Sequence, residues 1–142
     1  MQRYPDWPER LAEYVADGAH VRFRWGVADC CLWACSGVEA MTGVDPAAQL
    51  RETYCDRDGA KRALRRFGGQ GLLETIEKIA RQHEAVRLAS PLYAQRGDVV
   101  LADGPGDCPD ALGLCVGSTA LFLTPRGLRS VHLKNALAAW RV

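Results

Sequence analysis

Residues 23–33 read Phe-Arg-Trp-Gly-Val-Ala-Asp-Cys-Cys-Leu-Trp, and the prediction of the fold starts from this stretch. Trp25-Gly26 predicts a tight turn, and Asp29 is of a residue type that caps helices. Cys30 would then be the first helical residue, where the positive end of the helix dipole favours a thiolate. The stretch therefore predicts a cysteine nucleophile at the N-terminus of a helix.

The helix that begins at Cys30 is predicted to run to Met41 and to be the buried central helix. Its apolar residues recur at spacings of three and four, which is the pattern of a buried helical face. Further helices are predicted over 7–18 after a capping box of Asp6 and Glu9, from Asp45 over a short segment, from a cap at Asp58 to Phe67, and over 72–82.

After His83 the pattern changes from helices to strands. Strands are predicted over 86–88, 99–101, 112–116, 120–123 and 128–133, with a hairpin at Pro125–Gly127 and a short closing helix or turn over 135–140. We therefore expect a single domain over 1–142 of the α+β class, mainly helical over 1–83 and mainly an antiparallel meander over 84–142.

Composition and charge limit the function classes. The chain has 142 residues and a formal net charge of +1, which argues against a dedicated nucleic-acid surface. The first 13 residues lack the apolar region of a signal peptide, and no apolar run reaches the roughly 18 residues of a membrane span. We expect synthesis in the cytoplasm, no nucleic-acid partner and no membrane insertion.

The six cysteines are Cys30, Cys31, Cys35, Cys55, Cys108 and Cys115. In the absence of a secretion signal, most are expected to be reduced, and Cys35, Cys55 and Cys115 are interpreted as small core residues. The spacing lacks the Cys-x-x-Cys pairs of a zinc ribbon, so no metal and no other cofactor is expected. An iron–sulfur or other metal site stays open as an alternative, and it would draw on Cys30, Cys31 or Cys35 together with Cys55, Cys108 or Cys115.

Four segments are candidates for docking to partner proteins. The predicted helix over 58–67 carries Lys61, Arg62, Arg65 and Arg66 opposite its apolar face, which indicates either a solvated face or a contact for an acidic partner. The other candidates are the glycine-rich loop 68–71, the loop Asp103–Asp110 and the apolar segment Ala136–Val142. Trp140 could contribute to an interface or to the core of the chain itself.

The order of these motifs resembles the NlpC-type branch of the papain-like cysteine peptidases, many of which cleave peptidoglycan peptides. Trp25-Gly26-x-x-Asp29-Cys30 resembles the nucleophile motif at the start of the central helix. Residues 96–100, Arg-Gly-Asp-Val-Val, resemble the Pro-Gly-Asp-Leu-Val strand that begins the sheet of that family. Residues 111–117, Ala-Leu-Gly-Leu-Cys-Val-Gly, resemble its His-Val-Gly-Ile-Tyr-x-Gly strand.

The chain is also similar to small proteins encoded in the tail modules of tailed phages and prophages. The shared features are the Trp-Gly-x-x-Asp-Cys-Cys motif, the segment Met41–Pro46 and the closing segment Ala138–Val142. This resemblance implies a tail-assembly or tail-tip protein, located in the virion, with other tail proteins as partners and a contact with peptidoglycan.

The resemblance to the peptidases fails at two decisive positions. Ala111 stands where the family has its catalytic histidine, and alanine cannot accept a proton from Cys30. Phe23 stands where the peptidases usually have a tyrosine that helps to polarise the site. A cysteine peptidase needs an imidazole that activates the thiol and later protonates the leaving amine.

Three histidines are candidates to replace the missing base. His132 lies on the last predicted strand, but strand alternation directs it to solvent if Val131 and Leu133 face the core. His20 lies in the loop before the Trp-Gly turn, and His83 ends a helix, where a cation stabilises the C-terminus.

The remaining motif residues are interpreted as structural. Asp29 is expected to cap the central helix, and Asp98, which follows Gly97, is expected to cap or to bond the Trp25-Gly26 turn. The first hypothesis is a papain-like fold with a vestigial nucleophile at Cys30, kept as a structural part of a phage tail. The alternatives are an active cysteine hydrolase that uses His132 or His20 to cleave peptidoglycan peptides during DNA entry, and a metal or iron–sulfur binding tail protein.

Overall fold

The computed structural model describes residues 1–104 and 110–142, and within them the chain forms four α-helices and a six-stranded antiparallel sheet. The helices are α1 (Trp7–Gly18), α2 (Cys30–Thr42), α3 (Arg57–Gly68) and α4 (Leu72–Gln82). The strands are β1 (Val86–Arg87), β2 (Val99–Asp103), β3 (Asp110–Cys115), β4 (Thr119–Thr124), β5 (Gly127–His132) and β6 (Ala136–Arg141). The predicted α+β class is confirmed.

The central helix α2 is buried on nearly all sides, as its sequence predicts. Ten of its 13 residues are buried, which is typical of a core helix rather than a surface helix. It packs against α1, where the Tyr14 hydroxyl donates a hydrogen bond to the Trp33 carbonyl oxygen at 2.6 Å. It also packs against β3, because a Cβ atom at Gly37 would overlap the Leu114 side chain.

The strand order in the sheet is β1-β6-β2-β3-β4-β5. Strands β2 to β5 form the predicted meander, but the prediction of a closing helix or turn over 135–140 is wrong. That segment is β6, which pairs with β1 on one side and with β2 on the other. Because Ala138, Ala139 and Trp140 are all buried, the period-two alternation that identifies a strand is missing from this sequence.

The segment after Asp45 forms turns rather than the predicted short helix. Asp45 Oδ1 accepts a hydrogen bond from the Ala47 N–H at 3.0 Å, and the carboxylate forms an ion pair with Arg51. An aspartate that bonds the backbone two residues ahead stabilises a turn as readily as it caps a helix.

The structure also revises two predicted helix caps. Helix α3 is capped by Asp56, which accepts the Gly59 N–H at 2.6 Å, and Asp58 lies in its first turn. At α1 the expected capping box does not form, since the Asp6 side chain makes no cap bond and accepts a hydrogen bond from Arg10.

One hydrophobic cluster joins the helices to the sheet. Trp140 belongs to it and is 1% exposed, so this residue of the candidate docking segment Ala136–Val142 is a core residue. Among the described residues, no helix has the length and apolar character that would let it cross a bilayer.

Candidate functional site

Cys30 is the first residue of α2 and lines a cleft of about 750 Å³. The cleft lies between the N-terminus of α2, helix α3, the loop between α3 and α4, and the turn between β4 and β5. Cys30 itself is 8% exposed. The predicted position of Cys30 at the start of the helix is confirmed, and the structure places this nearly buried thiol in the wall of a cleft.

Asp29 holds the start of α2 in place. Its carboxylate accepts hydrogen bonds from the N–H groups of Leu32 at 3.0 Å and Gly26 at 3.1 Å, and from the Tyr54 hydroxyl at 2.5 Å. The predicted helix cap is confirmed. Three donors thus satisfy a carboxylate that is 1% exposed.

The Trp25-Gly26 turn has the tight geometry that the sequence predicts. Gly26 has φ +78°, and a side chain there would overlap the Tyr54 carbonyl oxygen. The Gly26 carbonyl oxygen accepts the Glu52 N–H at 2.8 Å. Since both the backbone conformation and the close approach require glycine, the turn fixes the direction in which the chain enters α2.

A phenol does lie at the start of α2, but it belongs to Tyr54, which lines the cleft, and not to residue 23. Burial and the neighbouring Asp29 carboxylate raise the pKa of Tyr54 well above its ordinary value, so its hydroxyl stays protonated and donates to Asp29. Phe23 instead packs edge-on against Trp25, with ring centroids 4.9 Å apart. No local pattern around residue 54 indicates this role, because the contact with Asp29 is formed only by tertiary folding.

Five cationic side chains line the cleft from two sides. Arg57, Lys61 and Arg65 come from α3, while Arg126 and Arg129 come from the β4–β5 turn and from β5. The acidic residues in the described lining are Asp29 and Asp110. The interpretation of the basic run on α3 as only a solvated face is therefore incomplete, because Lys61 and Arg65 lie at the cleft and Arg62 and Arg66 do not.

The lining of the cleft also has an apolar part. Trp25, Ala60, Leu64 and Leu72 contribute to it, together with Cys30. A cleft that combines apolar surface with several convergent polar groups is typical of a binding site.

The predicted replacement bases do not lie at Cys30. All three histidines fall within the described residues, and none of them lines the cleft. His132 ends β5, about 17 Å along the strand from the cleft end of β5. It is exposed, and its Nδ1 accepts the Lys134 N–H at 3.1 Å, so it caps the 3-10 turn Leu133–Asn135.

The other two histidines, His20 and His83, do not line the cleft either. His20 is exposed just after α1 and donates its backbone N–H to the Asp17 carbonyl oxygen at 3.0 Å. His83 is half-buried at the end of α4, and its carbonyl oxygen accepts a hydrogen bond from the Met1 ammonium group at 3.0 Å.

Ala111 does not line the cleft that contains Cys30. Leu114 points at α2, so the alternation of a strand places Leu112 and Asp110 on the same face as Leu114 and Ala111 on the other. Ala111 is 1% exposed and pairs with Ala102 in β2. The side chain that β3 contributes to the cleft is the carboxylate of Asp110.

Asp98 is buried away from the cleft. Its carboxylate forms ion pairs with Arg3 at 2.8 Å and Arg141 at 3.3 Å and accepts the Gln95 N–H at 2.8 Å. The expectation that it bonds the Trp25-Gly26 turn is wrong, because Asp29 and Glu52 make those bonds. Gly97 lies beside it and donates its N–H to the Cys115 carbonyl oxygen at 2.8 Å.

The described cysteines are not gathered into a metal site. Within the described residues, no three histidine, cysteine or acidic side chains converge in a way that could hold a metal ion. Cys31, Cys35 and Cys115 are buried, but Cys55 is exposed, so the interpretation of Cys55 as a core residue is wrong. Cys108 and most of the candidate docking loop Asp103–Asp110 lie outside the described residues.

Cys31 follows Cys30 directly in the sequence and carries a second thiol. The pKa of this thiol differs from that of a nucleophilic cysteine. A hydrogen bond with Cys35, burial and nearby negative charge raise the pKa of Cys31 well above its ordinary value. Cys31 therefore stays a neutral thiol at physiological pH.

Fold and site together define an α+β domain with a cysteine at the start of its central helix, in the wall of a cationic cleft. The chain belongs to the family described as a domain of unknown function (DUF6950), whose model matches residues 2–142. No curated protein matches the chain. The description of the family assigns no activity, so the function is argued from the site.

Proposed function

We propose that the chain is a papain-like domain of the NlpC type that has lost peptidase activity and serves as a structural component of a bacteriophage tail, near the tip. The observation that carries the loss of activity is the described lining of the cleft, which contains Cys30 and no histidine. The tail location rests on the sequence resemblance, and the virion is accordingly the proposed location.

The arrangement of elements supports the papain-like part of this proposal. Cys30 begins a buried helix that packs on an antiparallel sheet, and Asp29 and Gly26 fix that helix start. These are the elements on which the resemblance to the peptidases depends.

The chemistry at Cys30 supports a binding role rather than turnover. Acyl transfer to a thiolate needs a group that takes the thiol proton and later protonates the leaving amine. The Asp29 carboxylate is engaged by three donors, and the Tyr54 hydroxyl is held protonated. A cleft of this kind can hold a ligand without cleaving it.

The first test compares the reactivity of Cys30 with that of the exposed Cys55 in the same molecule. Iodoacetamide labelling is followed by peptide mass spectrometry between pH 6 and pH 9. We expect Cys30 to react more slowly than Cys55 at every pH, because Cys30 is nearly buried whereas Cys55 is exposed. Faster labelling of Cys30 well below pH 8 would contradict the loss of activity.

The tail location needs a separate test in the phage or prophage that encodes the chain. Mass spectrometry of purified virions is expected to detect the protein, and phage carrying Cys30→Ala are expected to assemble and infect normally. If the protein is absent from virions, the tail location is wrong. If the Cys30→Ala phage assemble but fail to infect, the cysteine has a chemical role.

A cysteine hydrolase acting on peptidoglycan peptides is the second candidate, and one observation favours it. Cys30 and the Asp110 carboxylate line the same cleft, so a proton acceptor other than histidine is present there. In this case wild-type protein would release peptides from purified peptidoglycan, and Cys30→Ala and Asp110→Asn would each abolish the release. The absence of any release by wild-type protein would exclude this candidate.

A further inference from the structure

Five cationic side chains are gathered in the lining of the cleft. Elsewhere five arginines each form an ion pair with a carboxylate: Arg3, Arg10, Arg51, Arg87 and Arg141. The five cations of the cleft, by contrast, form no ion pair with any residue in 1–104 or 110–142. Other cations outside the cleft, among them Arg62 and Arg66, also form no ion pair within the described residues, so what distinguishes the cleft is that five such cations line one concave surface.

Five cations line two sides of the cleft against two carboxylates, those of Asp29 and Asp110, so the lining has an excess of positive charges that repel one another. Arg57, Lys61 and Arg65 line one side, while Arg126 and Arg129 line the other. The whole chain has a net charge of only +1, so this positive field is local and not a property of the entire surface. A ligand with negative groups on both of its sides would relieve the repulsion.

The apolar part of the lining restricts the chemical class of ligand that the cleft can bind. Trp25, Leu64 and Leu72 present apolar surface between the cations. An inorganic polyphosphate has no apolar groups to cover this surface, and the net charge of +1 argues against a dedicated nucleic-acid surface, whereas an acidic polypeptide can carry both carboxylates and apolar side chains. The cleft volume of about 750 Å³ suits a segment of a few residues.

From this we infer that the cleft binds an acidic, amphipathic polypeptide segment of a neighbouring protein, with carboxylates at the α3 and β4–β5 cations and apolar side chains against Trp25, Leu64 and Leu72. This inference rests on the proposed non-catalytic role, because the segment occupies the cleft beside Cys30 without being cleaved.

The test measures binding of defined probes by fluorescence anisotropy. The probes are a labelled octapeptide of alternating glutamate and leucine, its counterpart with glutamine for glutamate, and a labelled twelve-nucleotide oligothymidine. We expect the glutamate peptide to bind at least about tenfold more tightly than either of the other probes. We also expect its affinity to fall between 50 and 300 mM NaCl, because salt screens the attraction.

Helix α3 offers a matched pair of charge reversals. Lys61→Glu/Arg65→Glu changes two cations of the cleft, and Arg62→Glu/Arg66→Glu changes two exposed cations one position further along the same helix. Both variants change the charge by the same amount and place two glutamates at the same spacing. We expect the first variant to bind the glutamate peptide at least about tenfold more weakly than wild type does. The second variant is expected to bind it with an affinity within about threefold of wild type. Circular dichroism melts of both variants check that they are folded.

Three outcomes would overturn the inference. The first is an equal loss of affinity for the glutamate peptide in the two variants. The second is tighter binding of oligothymidine than of the glutamate peptide, and the third is the absence of saturable binding of the glutamate peptide. A fragment of peptidoglycan stem peptide that displaces the glutamate peptide and is then cleaved would instead overturn the proposed function. If Cys30 reacts slowly with iodoacetamide and the glutamate peptide does not bind, the inference about the cleft fails and the proposed function stands.

Discussion

Asp29 and Asp98 are both fully buried carboxylates, and both belong to motifs that the sequence singles out, yet they are satisfied in different ways. Asp29 accepts hydrogen bonds from neutral groups of Gly26, Leu32 and Tyr54. Asp98 forms ion pairs with Arg3 and Arg141, at opposite ends of the chain.

The two aspartates therefore have different structural roles. The neutral donors around Asp29 shape the wall of the cleft at the start of α2. The ion pairs of Asp98 tie the N-terminal segment and strand β6 to the start of β2. We therefore expect loss of Asp98 to affect mainly global stability, and loss of Asp29 to affect both stability and the cleft.

The largest effect is expected for Asp98→Ala. The substitution leaves two arginines without their carboxylate and the Gln95 N–H without its acceptor, and breaking a buried ion pair in this way costs about 3 kcal/mol. Urea unfolding at pH 7 measures the loss. Arg141→Ala is the control, because its side chain is 45% exposed, and it is expected to cost less than about 1 kcal/mol. A smaller loss for Asp98→Ala than for Arg141→Ala would contradict the role of Asp98.

A smaller effect, about 2 kcal/mol, is expected for Asp29→Ala. It removes the cap of α2, worth about 1 kcal/mol, and leaves the Tyr54 hydroxyl without its acceptor. Tyr54→Phe is the matched control, since it removes only the hydroxyl, and it is expected to cost about 1 kcal/mol. In the Asp29→Ala protein, Cys30 is expected to be alkylated faster than in wild type, because the start of α2 frays. Unchanged labelling of Cys30 would show that Asp29 does not hold the cleft wall.

The smallest effect is expected at Asp45. This residue forms a partly exposed ion pair with Arg51, whereas Asp98 is fully buried. Burial alone would raise the pKa of Asp45, but hydrogen bonds from Arg51 and Ala47 and the charge of Arg51 outweigh it and lower the pKa. The ionised form is thus favoured by folding, and its contribution is present above the ordinary pKa of about 3.9 and is lost as the pH falls through the lowered value.

Urea unfolding of wild type and Asp45→Asn between pH 7 and pH 2.5 tests this contribution. The wild type is expected to be more stable by about 0.5–1 kcal/mol at pH 7, and the difference should shrink below pH 4. A difference that grows as the pH falls would contradict the lowered pKa of Asp45.

The helical half of the fold could be predicted closely from the sequence. Helices α1, α2 and α4 begin at the predicted residues, because caps and three- and four-residue spacings are local signals. The sheet was predicted less well, since β6 is defined by pairing with β1 and β2 and is covered on both faces. Such a strand lacks alternation, and its alanine-rich sequence favours a helix until the partners are in place.

The candidate site could be predicted only where its residues are adjacent in the sequence. Trp25, Gly26, Asp29 and Cys30 form the expected turn and helix start. Tyr54 was missed because its contact with Asp29 joins residues 25 positions apart.

The cationic cleft also depends on tertiary structure. Its cations come from α3 and from the β4–β5 region, about 60 residues apart in the sequence, and each group alone is typical of a solvated surface.

The sequence by itself determined a cysteine at the start of a buried, aspartate-capped helix, because hydrogen bonding and dipole effects at a helix start involve neighbouring residues. Only the tertiary structure decided what surrounds that cysteine. It placed Asp110 in the cleft and turned Ala111 to the other face of the strand, since a strand reverses its side chains at every residue. It also left His132 at the far end of β5 and brought cations from two separate segments around the thiol.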